Sequence, residues 1–394
     1  MVPPPTALDR RTRRTITPFI ERAAATPGAD RYRKAFSATA HLWMLLLHFW
    51  WGSDSLRQTY GKLSGCAAWL ALWGMETLIS FSQFARSSTS RPVGCAEALL
   101  ADALTAARHQ HPTDPQWRLL NRVQAIDSTF LRLSATLSPW SQHKRAVPGV
   151  RLQTGLDLVG RIPSRRRMTT SAINDHEALR QGDLTGWTGW TLLFDRGYDG
   201  HRQLARLIDA GVHFVACCSE QAHYQVVRSH QPPAGLTPDG DEIYADAVVI
   251  LGSANNRRGA LVPDLRLIGV RTKGGRTMTL VTDRHDLAAT QVVRLYRKRW
   301  QIEVFFRWLK RQLGALRPLG QSNAAVELTL VMAVAVMLLL LVLDGQRPPT
   351  MTRIAFAGAL ATTLLVVTVV EWAIDYYGSH GVSPLDDPAL AESG

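Results

Sequence analysis

The feature of this sequence that most constrains its fold is an alternation of short apolar runs with helical segments in the middle of the chain. Helices are predicted at 174–180, with Asn174 as N-cap, and at 200–209. Three strands, helix, strand, helix and strand in this order predict an α/β fold. The strands are predicted at residues 123–131, 149–159, 167–171, 190–194 and 213–217.

The segments on either side of this region have different sequence patterns. Residues 35–110 show helical periodicity, which predicts a separate N-terminal region. From 219 to 286, short strand-like runs alternate with turns rich in Gly, Pro and Asp, which predicts a β-rich insertion. One long helix is predicted from 287 to 316, because Pro318 closes it. The acidic stretch 371–394 predicts a poorly ordered tail.

The net charge and two apolar runs raise the question of a membrane. The formal net charge is +13, which favours a polyanionic partner, either nucleic acid or an anionic membrane surface. Residues 328–343 carry no charge and 354–370 are nearly as apolar, but each run is shorter than the roughly 18–20 residues that a span needs. Core helices of a large globular protein are therefore favoured over a membrane hairpin.

Cysteine usage and the N-terminus predict a cytoplasmic protein. Cys66, Cys95, Cys217 and Cys218 lack the paired spacings of a zinc site, so reduced thiols are expected. Residues 1–28 lack the apolar core of a secretory signal. Neither feature indicates export.

The predicted long helix has one apolar face and one face with chemically active residues. The active face falls within an arc of roughly 60°, at about 100° per residue. It carries Tyr296, Arg299, Glu303 and Lys310. The opposite face carries Ile302, Phe305, Trp308, Leu309 and Leu313.

Glu303 has two interpretations, because it is the only carboxylate between residues 294 and 311. In the first, it forms an ion pair with Arg299, one turn away, that contributes about 0.3 kcal/mol. In the second, it joins a metal site, which needs partner carboxylates elsewhere. Asp127 lies within an apolar strand, where a carboxylate is costly without a cation or donors. Asp195 follows a strand at the edge where α/β sheets place ligands, although it could also cap a turn.

The run from Leu295 to Lys310 resembles the Tyr-Arg-Glu-Lys signature of DDE transposases of bacterial insertion sequences. In that signature, two residues separate Tyr from Arg, three separate Arg from Glu, and six separate Glu from Lys. This spacing is matched at Tyr296, Arg299, Glu303 and Lys310. Ile126-Asp127-Ser128-Thr129 is similar to the family's first-aspartate motif, and Asp195-Arg196-Gly197-Tyr198 to its second.

The resemblance implies an α/β fold with a ribonuclease H-like catalytic core, interrupted by a β-rich insertion and preceded by a helical N-terminal domain. Residues 1–115 correspond to the helical domain, with a role in binding DNA ends. Residues 116–345 correspond to the catalytic domain, with the insertion at 219–286. Residues 346–394 correspond to a C-terminal helix and acidic tail.

The resemblance also implies an activity and its site. The catalytic and metal-holding residues are Asp127, Asp195 and Glu303, and the DNA-binding residues are Tyr296, Arg299 and Lys310. Mg²⁺ is the expected cofactor, with Mn²⁺ as a substitute. Two metal ions would support cleavage at the ends of the insertion sequence and joining of those ends to target DNA. The expected partners are double-stranded DNA, as terminal inverted repeats and target, and a second copy in a homodimer on DNA, with no membrane.

Two other classes of function remain as alternatives. A ribonuclease H-like nuclease without strand joining would keep the same metal site. A membrane protein would account for the two apolar runs and for none of the carboxylates.

Overall fold

The computed structural model of this chain describes most of the sequence between residues 10 and 345 in two compact units. The first contains the described residues before Pro112, Phe130–Leu152 and those from Phe305 onward; the second contains 122–129 and Gln153–Val304. The runs predicted at 354–370 and 371–394 lie outside the described residues. Those residues are 10–30, 36–64, 70, 73, 75–110, 122–142, 147–158, 162–196, 200–219, 221–252, 261–311 and 317–345.

The first unit is mainly helical. Local caps begin two of its helices, because the Ser37 hydroxyl accepts from the backbone N–H of Ala40 at 3.1 Å and Ser80 accepts from Gln83 at 3.2 Å. The helical periodicity predicted for residues 35–110 is confirmed where the structure describes them. Its helices are α1 (Arg10–Ala24), α2 (Ala38–Trp50), α3 (Leu56–Ser64), α4 (Phe81–Ser90), α5 (Gly94–Gln110) and α10 (Asn323–Gly345).

Helix α10 forms the core of the first unit. It has the length and hydropathy of a membrane span, and 94% of its most apolar window is buried within the protein. It packs against α1, α2, α4 and α5. The apolar run 328–343 is therefore a buried core helix, as its Val and Ala content predicted.

Introduction of a charge in the middle of α10 is expected to unfold the first unit. Leu338 is fully buried, and Leu338→Arg should destabilise the protein by about 4 kcal/mol or more because the charge has no partner there. The measurement is thermal unfolding in detergent-free buffer. The control is Asn323→Arg, at the exposed start of the same helix, which should change stability by less than about 1 kcal/mol. Equal stability of the two variants would contradict the core assignment.

A mixed sheet dominates the second unit. Its order is β3-β2-β1-β4-β5-β9-β8-β7-β6. β1, β4 and β5 are parallel neighbours, and from β5 outward the strands alternate in direction. The strands are β1 (Val123–Arg132), β2 (Gly149–Asp157), β3 (Ile162–Thr170), β4 (Thr191–Phe194), β5 (His213–Cys218), β6 (Tyr224–His230), β7 (Glu242–Leu251), β8 (Val262–Arg271) and β9 (Thr277–Thr282).

The parallel strands form because their sequences are almost continuously apolar, as expected for strands covered on both faces. All four residues of β4 are buried. Two helices follow the predicted bounds closely: α6 (Asp175–Gln181), where the Asn174 side chain accepts from Glu177 N at 2.8 Å, and α7 (His201–Asp209). The α/β prediction is thus confirmed as a mixed α/β arrangement, although β3 begins five residues before its predicted start.

Residues 219–286 extend this sheet rather than forming a separate one. β9 pairs with β5 in antiparallel register, from Val215 opposite Thr282 to Cys218 opposite Thr279. β8, β7 and β6 follow in turn. The β-rich character is confirmed, and β6 is an additional strand that the sequence pattern did not predict.

The single long helix predicted from 287 to 316 is wrong in one respect. Helix α8 (Ala289–Arg297) ends at a 3₁₀ turn, Lys298–Trp300, and α9 (Gln301–Arg311) begins after it. The amphipathic pattern is unchanged across the turn, so periodicity does not reveal it. Arg297, just before the turn, is bound to the buried Asp241, and Arg299, within the turn, is bound to Glu303.

Candidate active site

Asp127 and Asp195 are brought side by side by the register of two parallel strands. Val123 of β1 lies opposite Thr191 of β4, and Ala125 lies opposite Leu193. Asp127 and Asp195 are each two residues beyond the second pair, so their side chains share one face at the same level. Neighbouring strands lie about 4.8 Å apart. The strand register therefore assembles the first two carboxylates.

Asp127 is a largely buried carboxylate with few compensating donors. Its Oδ1 accepts from the backbone N–H of Ser128 at 2.7 Å, and its Oδ2 lies 4.0 Å from Nη1 of Arg299. Burial raises the pKa of Asp127 to about 7, against the opposing effects of the Ser128 N–H and of Arg299. The carboxylates of Asp195 and Glu303 raise this pKa further. The three acidic residues are thus close enough to interact electrostatically.

Arg299 lies among these carboxylates. Its Nη2 donates to Glu303 Oε1 at 2.5 Å, and its guanidinium carbon lies 5.8 Å from the centre of the Tyr296 ring. Burial lowers the pKa of Arg299, but Tyr296, Glu303 and Asp127 more than offset this effect, and the net pKa is raised. The ion pair between Arg299 and Glu303 that the sequence allowed is therefore formed. Arg299 also extends to Asp127 and supplies positive charge where three carboxylates converge.

Tyr296, at the last turn of α8, joins the same group. Burial raises its pKa, and Cys217 on β5 raises it further; Arg299 opposes this effect and Asp195 adds to it. Cys217 itself is buried and lies 3.4 Å from Nε of Arg196. Sequence reasoning did not assign Cys217 to the site. Strand alignment could have found it, because Phe194 lies opposite Ala216 and the next residues are Asp195 and Cys217.

Lys310 lies on α9, seven residues after Glu303, with a partly buried side chain. The apolar face of the same helix includes the buried Ile302, Phe305 and Leu309. The assignment of Lys310 to DNA binding stays a prediction.

The oxygen atoms of the site suit a hard divalent cation, but Arg299 holds the Glu303 carboxylate. Three carboxylates offer the oxygen ligands that Mg²⁺ prefers. Within the described part of the chain, no group of three or more His, Cys, Asp and Glu side chains has the geometry to hold a metal ion. Glu303 is bonded to Arg299, and the assignment of the three carboxylates to one metal site stays a prediction.

The mixed α/β sheet and the neighbouring carboxylates lie within a stretch of the chain that matches a known sequence family. Residues 118–340 match the family described as the transposase DDE domain. This match covers more than half of the chain, and the chain belongs to that family. DDE transposases act on DNA and generally use divalent metal ions.

Two relatives carry transposase names. The chain is 28% identical over 274 residues to the Sinorhizobium fredii protein named "Putative transposase y4zB", covering 69% of this chain and 74% of that protein. It is 24% identical over 279 residues to the Geobacillus stearothermophilus "Probable transposase for insertion sequence element IS5377", covering 70% and 71% respectively. The resemblance to transposases of insertion sequences is thereby confirmed.

Proposed function

We propose that this transposase cleaves the ends of an insertion sequence and joins them to target DNA at a site formed by Asp127, Asp195 and Glu303. The observation that carries the proposal is the strand register that brings Asp127 beside Asp195, with Glu303 close enough to contribute to the electrostatic environment of Asp127. Carboxylates that repel one another in a partly buried site are costly for a fold. A divalent cation between them relieves this repulsion, which explains why such a group is kept together.

The residues of the site suit the two tasks of this chemistry, which are to hold the metal ions and to bind the DNA phosphates. Asp127, Asp195 and Glu303 would hold Mg²⁺, or Mn²⁺ as a substitute, and bound metal ions would supply activation of the attacking oxygen and stabilisation of the leaving oxygen. For them to do so, Arg299 must release Glu303. Its forked donors then suit a DNA phosphate, together with the Tyr296 hydroxyl and the Lys310 ammonium.

The wider architecture is part of the same proposal. Residues 116–345 would form a ribonuclease H-like catalytic domain with its insertion at 219–286. The helices within residues 1–115 would bind the terminal repeats, and residues 346–394 would form a C-terminal helix and tail. The charge of +13 suits double-stranded DNA. We further propose a homodimer on DNA, because two ends must be brought together, in the cytoplasm where the DNA lies.

The experiment that tests the proposed function uses the purified full chain, a labelled duplex carrying one end of its element, and supercoiled target DNA. Cleavage at the end and transfer of the label to target DNA are both expected with Mg²⁺ or Mn²⁺. Both should fall to background with a chelator and return when the metal is restored. Cleavage that persists without metal would contradict the assigned chemistry.

The transfer step distinguishes a transposase from the main alternative, a nuclease without strand joining. A nuclease of the same fold would release the end and leave the target unlabelled, so cleavage without transfer favours hydrolysis alone. The membrane alternative loses its main support because α10 is a buried core helix.

A further inference from the structure

Helix α8 is attached at its C-terminal end to the antiparallel part of the sheet. Arg297, its last residue, donates through Nε to Asp241 Oδ2 at 2.5 Å and through Nη2 to Oδ1. The Asp241 side chain is 0% exposed and that of Arg297 is 16% exposed. The backbone N–H of Asp241 donates to the Thr237 hydroxyl at 3.0 Å, which fixes the loop that presents this carboxylate just before β7.

A second buried pair holds the N-terminal end of the same helix. Arg266 on β8 donates through Nε and Nη2 to the two carboxylate oxygens of Asp246 on β7, at 2.8 and 2.7 Å. Its remaining nitrogen, Nη1, donates to the backbone carbonyl of Leu287, two residues before α8 begins. The two side chains are 12% and 5% exposed. One arginine thus joins two strands of the insertion to the start of α8.

These pairs matter because α8 carries Tyr296 and leads directly into the residues of the candidate site that follow it. Tyr296 directly precedes Arg297, Arg299 lies within the 3₁₀ turn that follows, and Glu303 lies on the next helix, α9. A bidentate arginine–carboxylate pair fixes direction as well as distance. Buried ion pairs add little net stability compared with apolar packing, so their presence at both ends of one short helix points to orientation rather than to stability.

We propose that these two pairs position the carboxylate of Glu303 against Asp127 and Asp195, and this inference rests on the proposed function. The four residues, called the α8 clamp, are Asp241, Asp246, Arg266 and Arg297. The β-rich insertion thereby acts as a scaffold for the third carboxylate. The clamp residues are positioning residues, because they act through α8 and the turn that follows it.

The test compares Arg297→Met, which removes the bidentate bond, with Arg297→Lys, which keeps the charge. In the end-cleavage assay, Arg297→Met should lower the rate by about 10- to 100-fold, the range typical for residues that orient metal ligands. It should also raise the Mg²⁺ concentration needed for half-maximal rate, with DNA binding within twofold of wild type. Arg297→Lys should recover part of both losses.

The chain offers a matched control on the same strands. Arg271 of β8 pairs with Glu242 of β7 at 2.5 Å, but their side chains are 52% and 45% exposed. Arg271→Met removes an arginine–carboxylate pair from the same ribbon without touching α8. Its cleavage rate and Mg²⁺ dependence should stay within twofold of wild type.

Hydrogen exchange adds a readout that is independent of cleavage. Arg297→Met should accelerate exchange in peptides covering residues 289–303 and leave those covering β4 and β5 unchanged. If this variant does not fold, Asp241→Asn and Arg297→Lys, which retain most of the local packing, serve in both assays.

The outcomes separate the two proposals. If the wild type cleaves DNA and the folded clamp variants have the same rate and Mg²⁺ dependence, the α8 clamp is overturned and the proposed function stands. Absence of metal-dependent cleavage in the wild type would overturn the proposed function and the inference with it. Selective loss in the clamp variants, with a normal Arg271→Met control, would establish the clamp.

Discussion

Glu303→Gln is expected to reduce end cleavage by about 10³-fold or more while leaving DNA binding within a few-fold of wild type. Glutamine keeps the size of the side chain and an oxygen that can accept from Arg299. It removes the negative charge that a divalent cation requires from the third ligand. The measurement is single-turnover cleavage of a labelled duplex in Mg²⁺, with binding followed by gel mobility shift.

The control for this variant is Glu242→Gln, which neutralises an exposed carboxylate on β7 and should cleave like the wild type. Full activity of Glu303→Gln would assign Glu303 to the helical ion pair with Arg299 and remove it from the site. Parallel loss of cleavage and DNA binding would indicate instead that the variant disturbs the DNA interface or the fold.

Asp127→Asn is expected to stabilise the metal-free protein at pH 8 by up to about 4 kcal/mol, at about 1.4 kcal/mol per pKa unit. The folded-state pKa of Asp127, about 7, is above its ordinary value of 3.8. The folded state therefore binds more protons between these values, and wild-type stability falls as pH rises from about 4 to about 7. Below pH 4 the carboxyl is protonated in both states, so the difference between variant and wild type should disappear.

Thermal unfolding in a chelating buffer across this pH range measures the effect. Asp209→Asn, at the exposed end of α7, is the matched control and should change stability little at any pH. Added Mg²⁺ should stabilise the wild type in proportion to the logarithm of its concentration and leave Asp127→Asn unchanged. A variant that is less stable than wild type at pH 8 would show that ionised Asp127 is stabilised by its neighbours rather than strained.

Both predictions depend on one property of the site. Arg299 provides the positive charge among the carboxylates, and it contacts Glu303 more closely than Asp127. Loss of charge at either residue should remove a metal ligand, and in the metal-free protein loss of charge at Asp127 should also relieve the cost of burying that charge. Activity and stability are expected to respond in opposite directions at Asp127, as is common where a site is built for function at the expense of the fold.

The parallel strands and the helices between them could be predicted from the sequence. β1, β4 and β5 were located to within one residue at each end, because buried parallel strands are short, almost wholly apolar and bounded by polar residues. Strand β6 was missed for the opposite reason: all seven of its residues are exposed, so it has no apolar pattern to detect. Its pairing with β7 is what makes it a strand.

The break between α8 and α9 could not be predicted either. The spacing of Tyr296, Arg299 and Glu303 fits a continuous helix as well as a helix with one tight turn. Arg297, bound to Asp241, directly precedes the turn, and Arg299, bound to Glu303, lies within it. Asp241 is 56 residues from Arg297 in the sequence, and no local periodicity reports a contact at that distance.

The sequence by itself determined the family and the α/β order, since these depend on local patterns and on spacing within single elements. Only the tertiary structure decided which groups meet. Strand register places Asp127 beside Asp195 and brings Cys217 to Tyr296, and the insertion contacts the end of α8 through the Asp241–Arg297 pair. These contacts join residues far apart in the chain, and their energies depend on burial and direction, which exist only in the folded protein.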